Sequence, residues 1–217
     1  MKKHLLFIAL LIASTSTVCS QSLEWAATFG GTSYAAGKAI GTDASGNVYS
    51  TGYFYGLSDF DPSLGVANFT AAPALGCDIF ITKLNPNATL AWAKQIGGGD
   101  GNDYALGMAV DQTTGDVYVT GWFHGAVDFD PGADSFIVNS PGVDAVYVLK
   151  LDAAGEFVWV KTLTDGVGSY GYALAFDQSG NIYVVGEFDG TIDFDPGAGI
   201  QTATATANRD AFILKLD

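Results

Sequence analysis

The chain has 217 residues, with 23 Asp or Glu against nine Lys or Arg, and a formal net charge of −14. Such a balance repels phosphate backbones, so nucleic acid is excluded as an expected partner. The 28 glycines and the large apolar share point to a turn-rich, packed chain that its negative charge keeps soluble.

The first residues read as an address. Lys2, Lys3 and His4 precede the apolar run Leu5 to Ala13, and Val18 and Ser20 then take the −3 and −1 positions before Gln21. This predicts a signal peptide over residues 1–20, cleaved after Ser20, and a mature repeat domain over 21–217. Cys19 offers lipidation as the alternative, although Val18 is a poor neighbour for it. The expected location is secreted, extracellular or cell-surface, with the periplasm as the other choice. No later stretch reaches the roughly 18 uninterrupted apolar residues of a membrane helix, so no membrane span is expected. After cleavage Cys77 stands alone in LGCDIF, which predicts a buried thiol and no intrachain disulfide.

The mature sequence is one unit written three times. Trp25, Trp92 and Trp159 recur at a 67-residue spacing, defining copies at 25–91, 92–158 and 159–217. Each copy then gives a turn signature, SGNVY, TGDVY or SGNIY. An F-x-G follows at Phe54, Phe123 and Phe188, then a DFDP motif, then an apolar run ending at Lys83, Lys150 or Lys215. The runs VYSTGYF, VYVTGWF, IYVVGEF, IFITKL, VYVLKL and AFILKL are β-branched and aromatic, bounded by Gly, Asn, Asp and Pro. The class is all-β.

One strand of each copy says how the sheets meet. Alternate positions Gly37/Ala105/Gly171, Ala39/Gly107/Ala173 and Gly41/Ala109/Ala175 are all Gly or Ala. Side chains alternate faces along a strand, so one face is almost bare. Glycine weakens a strand, and close approach of another backbone is the usual reason for tolerating it. The crowded innermost strand of a β-propeller blade supplies that reason. Three antiparallel, about four-stranded blades are predicted, with the Gly/Ala strand innermost and the VYSTGYF, IFITKL and Trp-bearing strands following outward. The link of roughly 20 residues that carries DFDP exceeds an ordinary hairpin connection and predicts a protruding arm with a small hairpin.

These features resemble the secreted bacterial β-propeller repeats of the SBBP type, over nearly all of residues 23–217. The resemblance rests on G-N-[VI]-Y, T-G-x-F and D-x-F-x-x-K-L; Ala145 and Val185 depart from it. It implies a secreted or surface-exposed propeller and carries no common catalytic activity. Three blades are fewer than the roughly four to eight of known rings. A fragment of a larger ring is the favoured expectation, since open terminal sheets would expose apolar faces and strand edges. An oligomeric partner completing the ring and an open stack are the alternatives.

Two sets of residues are candidates for a site. In DFDP, Asp59 and Asp61, Asp128 and Asp130, and Asp193 and Asp195 each place two carboxylates on one side of an extended chain, roughly 7 Å apart. That spacing suits two metal ligands, calcium above all, or the acid and base of an inverting glycosidase. Threefold recurrence with similar neighbours favours a third reading, in which Phe60, Phe129 and Phe194 anchor the arm and the Asp-Pro forms a turn. The Asp43 and Asp177 loops likewise read as Asx turns rather than calcium loops. The second set varies between copies. Tyr53 and Tyr55, Trp122 and His124, and Glu187 and Asp189 flank the shared Phe, and together suit a glycan, peptide or protein ligand.

The expected function is a binding or scaffold module without catalysis and without a required cofactor, calcium being the exception considered. A hydrolase or lyase acting on glycans with acidic residues at the propeller mouth is the alternative. Further blades of a parent chain or an oligomeric partner are expected companions.

Overall fold

The computed structural model describes residues 21–71, 76–98, 101–164, 166–177 and 179–217. The predicted signal peptide, with Cys19 and Ser20, lies outside them. No helix among the described residues is long and apolar enough to cross a membrane.

The described chain is all-β and its sheets are antiparallel. After the short strand β1 (Gly30–Gly31) come β2 (Ala35–Thr42), β3 (Val48–Phe54), β4 (Leu57–Asp59), β5 (Asn68–Thr70), β6 (Asp78–Leu84) and β7 (Leu90–Ile96). The second unit comprises β8 (Tyr104–Val110), β9 (Val117–Asp128), β10 (Ile137–Leu151) and β11 (Phe157–Leu163). The third comprises β12 (Gly168–Phe176), β13 (Ile182–Asp189), β14 (Thr191–Asp193), β15 (Thr202–Thr204) and β16 (Asp210–Leu216). Three propeller blades result, ordered β2-β3-β6-β7, β8-β9-β10-β11 and β12-β13-β16. The Gly/Ala strand is innermost in all three, and the Trp strand is outermost in the first two; among the described residues the third blade has three strands, with β16 outermost.

The arms are hairpins. In the first copy β4 pairs with β5 and with β1, and in the third β14 pairs with β15. In the second the arm is the far half of β9 and β10, with Asp128 opposite Ile137 and Gly125 opposite Ser140. Phe60, Phe129 and Phe194 drive the arms down onto their blades, meeting Phe54, Phe123 and Phe188 edge-on at centroid distances of 5.0, 5.2 and 5.2 Å. Such aromatic pairs contribute about 1 kcal/mol each beyond the area they bury.

Every inner strand carries a bulge at the same place, between Gly37 and Ala39, Ala105 and Gly107, and Gly171 and Ala173. An extra residue on one strand tilts the backbone beside it. Here the tilt drives the carbonyl of Ala36, Tyr104 or Tyr170 into the space where a Cβ of Gly52, Gly121 or Gly186 would stand. The glycine of T-G-x-F is therefore required by its neighbour's backbone.

Blades stack small face to large face. Val110 projects onto the bare face of Gly41, and Gly107 lies against the Ala173 backbone. Phe176 meets Tyr118 edge-on at 4.7 Å. Tyr49, Ile81, Met108, Val119 and Leu149 join in one buried cluster between the first two blades; Tyr118, Val148, Val184 and Phe188 belong to another between the second and third.

The bulge makes a sharp prediction. Gly121→Ala forces a methyl group against the Tyr104 carbonyl and is expected to destabilise the protein by about 1–3 kcal/mol, the usual range for overpacking. Ala109→Gly in the same blade, which adds no atom, should cost about 1 kcal/mol or less. Urea denaturation of the two variants checks the order.

Candidate functional site

The ladder register decides which side chains gather at one end of the blades. Tyr53, Trp122 and Glu187 lie directly across from Ala36, Tyr104 and Tyr170 at the start of the inner strands. Blade stacking then brings these pairs edge to edge. Tyr53 packs on Tyr104 at a centroid distance of 4.4 Å, Tyr104 on Trp122 at 4.4 Å, and Trp122 on Tyr170 at 5.5 Å. Tyr34, 57% exposed, and Tyr55 extend the row beyond Tyr53, at 5.9 and 6.2 Å. At its other end the Arg209 guanidinium lies 4.4 Å from the Tyr170 ring. One aromatic row therefore crosses all three blades.

A polar couple borders the row in each blade, and its chemistry changes from copy to copy. In the first blade Tyr55 neighbours Cys77, whose thiol points to the Asp103 carbonyl at 3.4 Å. In the second, His124 Nδ1 and Asp144 Oδ1 are 2.9 Å apart, and Asp144 Oδ2 accepts from the Tyr170 hydroxyl at 2.9 Å. In the third, Arg209 donates from Nε to Asp189 at 3.1 Å and pairs with Glu187. All six variable residues expected to bind ligand thus come together. Glu187 and Asp189 are held by Arg209 rather than standing as open acids.

Protonation keeps the row neutral. Burial, then the hydrogen bond to Asp144, pushes Tyr170 up to about 12, and burial with the neighbouring Tyr34 does the same to Tyr53. Burial also raises the Cys77 thiol. The Tyr55 and Tyr104 hydroxyls lie 3.1 Å apart. Beneath the row Asp103 is fully buried, accepting from the His124 backbone N–H at 3.2 Å while its Oδ2 has no hydrogen-bond partner among the described residues. Burial pushes its carboxyl up to about 8, and the nearby Asp78 adds to the rise.

The DFDP carboxylates are occupied elsewhere, on the arms. Asp59 Oδ1 accepts from the N–H of Asp61 and Ala67 at 3.0 and 2.8 Å. Asp128 accepts from Asp130 and Phe136 at 3.1 and 2.8 Å, and Asp193 from Asp195 and Gln201 at 3.0 and 2.7 Å. These bonds hold Asp59 and Asp193 below the ordinary carboxylate range. Asp61, Asp130 and Asp195 each accept from the N–H two residues on, at 2.8, 2.8 and 2.7 Å. Asp43 and Asp177 close their turns in the same way, accepting from Ser45 and Asn47 and from Ser179 and Asn181. Among the described residues no group of three or more His, Cys, Asp or Glu side chains converges in a metal-holding arrangement.

Sequence reasoning missed Tyr34, Tyr104, Tyr170, Cys77, Asp144 and Arg209. Copy alignment held the signal for five of them. Ala36, Tyr104 and Tyr170 occupy one repeat position, as do Cys77, Asp144 and Arg209, and both positions vary between copies.

Residues 91–122 match the family model of SBBP, a beta-propeller repeat, the family that the sequence resembles. The matched segment runs from the outer strand of the first blade to Trp122 in the row. No curated protein matches the chain significantly.

Two outcomes are expected. Replacing Asp59, Asp128 or Asp193 with Ala should lower the melting temperature by small and similar amounts, since each accepts the same two backbone bonds; a large loss in one copy alone contradicts shared architecture. For Asp103 the pH dependence has a definite sign. The folded chain keeps a proton that the unfolded chain releases above about pH 4, so this carboxyl's contribution to stability is greatest in acid and declines as pH rises toward about 8. Asp103→Asn, which imitates the protonated acid, should gain stability relative to the parent between those limits, as denaturation at pH 4.5 and 8 measures.

Proposed function

We propose that this protein is a secreted or cell-surface β-propeller module that binds a glycan along the aromatic row, without catalysis. The observation that carries the reading is the continuous row from Tyr34 through Tyr53, Tyr104 and Trp122 to Tyr170, bordered by hydrogen-bonding couples. Sugar rings present apolar C–H faces and a rim of hydroxyls. Half-buried aromatic rings with neutral phenols beside them match both parts. The acids near the row are committed, Asp144 to His124 and Tyr170, and Glu187 and Asp189 to Arg209, which suits holding a ligand better than moving a proton. The signal-peptide pattern supports an exported module, and the SBBP match supports a propeller.

A glycan array followed by calorimetry tests the reading. Binding is expected to change little between low and high salt, because the contacts are with neutral groups. Trp122→Ala should weaken it by about tenfold, the loss of one good aromatic contact, with the fold checked by circular dichroism. Unchanged affinity in Trp122→Ala overturns the assignment of the row, and release of new reducing ends from a bound glycan overturns the non-catalytic reading.

A further inference from the structure

The turns that lead from the third strand of a blade to the fourth have one backbone and two chemistries. In the second blade Asp152-Ala153-Ala154-Gly155-Glu156 joins β10 to β11, and in the first Asn85-Pro86-Asn87-Ala88-Thr89 joins β6 to β7. The N–H groups of Asn85 and Asp152 donate to the carbonyls of Thr89 and Glu156 at 2.8 and 2.9 Å. Those of Ala88 and Gly155 donate to the carbonyls of Asn85 and Asp152, both at 2.9 Å. Gly155 has a φ of 80°, where glycine is at ease. Ala88 stands in its place with a φ of 63°, and among the described residues no other non-glycine has a positive φ. Residues with a side chain rarely adopt that region, so the first turn is strained where the second is not. An observed outlier of this kind points to a function for the residues around it.

The first turn holds Asn87-Ala88-Thr89, an Asn-x-Thr triplet whose middle residue is not proline. The Thr89 hydroxyl donates to Asn87 Oδ1 at 2.7 Å and accepts from Asn85 Nδ2 at 2.9 Å. Asn87 and Thr89 are both exposed, and no hydrogen bond among the described residues engages Asn87 Nδ2. The second-blade turn closes without any of this, through Asp152 Oδ1, which accepts from Ala154 and Glu156 at 2.8 and 2.9 Å. A second triplet, Asn68-Phe69-Thr70, lacks the arrangement. It is strand β5, with Asn68 opposite Asp59 and Thr70 opposite Leu57, and Gln95 holds the Thr70 carbonyl at 2.9 Å. No bond joins its Thr hydroxyl to its Asn amide.

We propose that Asn87 is an acceptor site for an N-linked glycan, transferred by an oligosaccharyltransferase from a polyprenyl-diphosphate-linked oligosaccharide. Asn87 Nδ2 forms a bond to the anomeric carbon of the first sugar. The bond from that carbon to the diphosphate oxygen breaks, and the lipid diphosphate leaves with the electron pair. The nitrogen gives up one proton to the transferase's base, and nothing is oxidised or reduced. Thr89 holds the amide by its oxygen and leaves the nitrogen free, on an exposed turn that tolerates a bulky group. The turn follows the Val48–Leu84 end of the ladder, whereas the aromatic row lies at its Phe54–Asp78 end, so a glycan here leaves the row open. The inference rests on the exported reading of the chain and is independent of the ligand assigned to the row.

Peptide mapping by mass spectrometry, on the protein recovered from its own source, tests it. The N-terminal peptide reports export by itself and should begin at Gln21. The peptide spanning residues 87–89 should carry a glycan mass that a glycan-releasing amidase removes, while the peptide with Asn68 keeps its unmodified mass. Asn87→Gln and Thr89→Ala should each lose the modified species, whereas Thr89→Ser and Asn68→Gln should retain it, all with unchanged circular dichroism. An exported chain with Asn87 unmodified, a glycan on Asn68 in its place, or modification that survives Thr89→Ala overturns the proposal. A chain that keeps residues 1–20 overturns the exported reading and this site with it.

Discussion

One steric constraint, repeated three times, organises the molecule. A bulge in each inner strand turns a carbonyl into the space beneath the glycine of the next strand. The exchange of a side chain for a close backbone contact lets the inner strand bend toward its neighbour blade below the bulge. It also re-aims the residues above the bulge. Ala36, Tyr104 and Tyr170 stand there, and the latter two reach across to Trp122 and to the Asp144 carboxylate because of that turn. Packing and site geometry therefore share a single cause.

Much of this was legible in residue order, because repetition turns one sequence into its own comparison. The bare face of Gly41 and Gly107 announced close blade packing, and the order of strands across a blade followed from it. The DFDP arms were legible as anchors for the same reason: a site that needs distinct environments is not written three times with the same neighbours. What stayed hidden depends on register across strands far apart in sequence. Cys77, Asp144 and Arg209 sit next to Tyr55, His124 and Asp189 only once hairpins of more than 15 residues have closed. Tyr34 gave no signal at all, since its counterparts Asn102 and Gly168 are not aromatic.

The buried polar groups divide according to how completely they are satisfied. The Asx turns at Asp43 and Asp177 place each carboxylate among several donors, and Asn181 with the others holds Asp177 down to about 2. Asp103 is the opposite case, enclosed with one oxygen unpartnered among the described residues, and burial favours its protonated form. A neutral acid beneath the row adds no charge to a surface whose phenols are themselves neutral. The carboxylates of the arms and turns lie away from the rings, and those beside them, Asp144, Glu187 and Asp189, are held by His124, Tyr170 and Arg209.

The three polar couples differ while the row they border is continuous, and this gives the row a direction. A chain molecule lying along it would meet a phenol and thiol first, then an imidazole with a carboxylate, and last a guanidinium between two acids. Reversing the molecule end for end would exchange the first and last of these surroundings. On the proposed reading, the two orientations of a linear polymer would therefore meet different partners at each end, which gives the row the means to tell them apart.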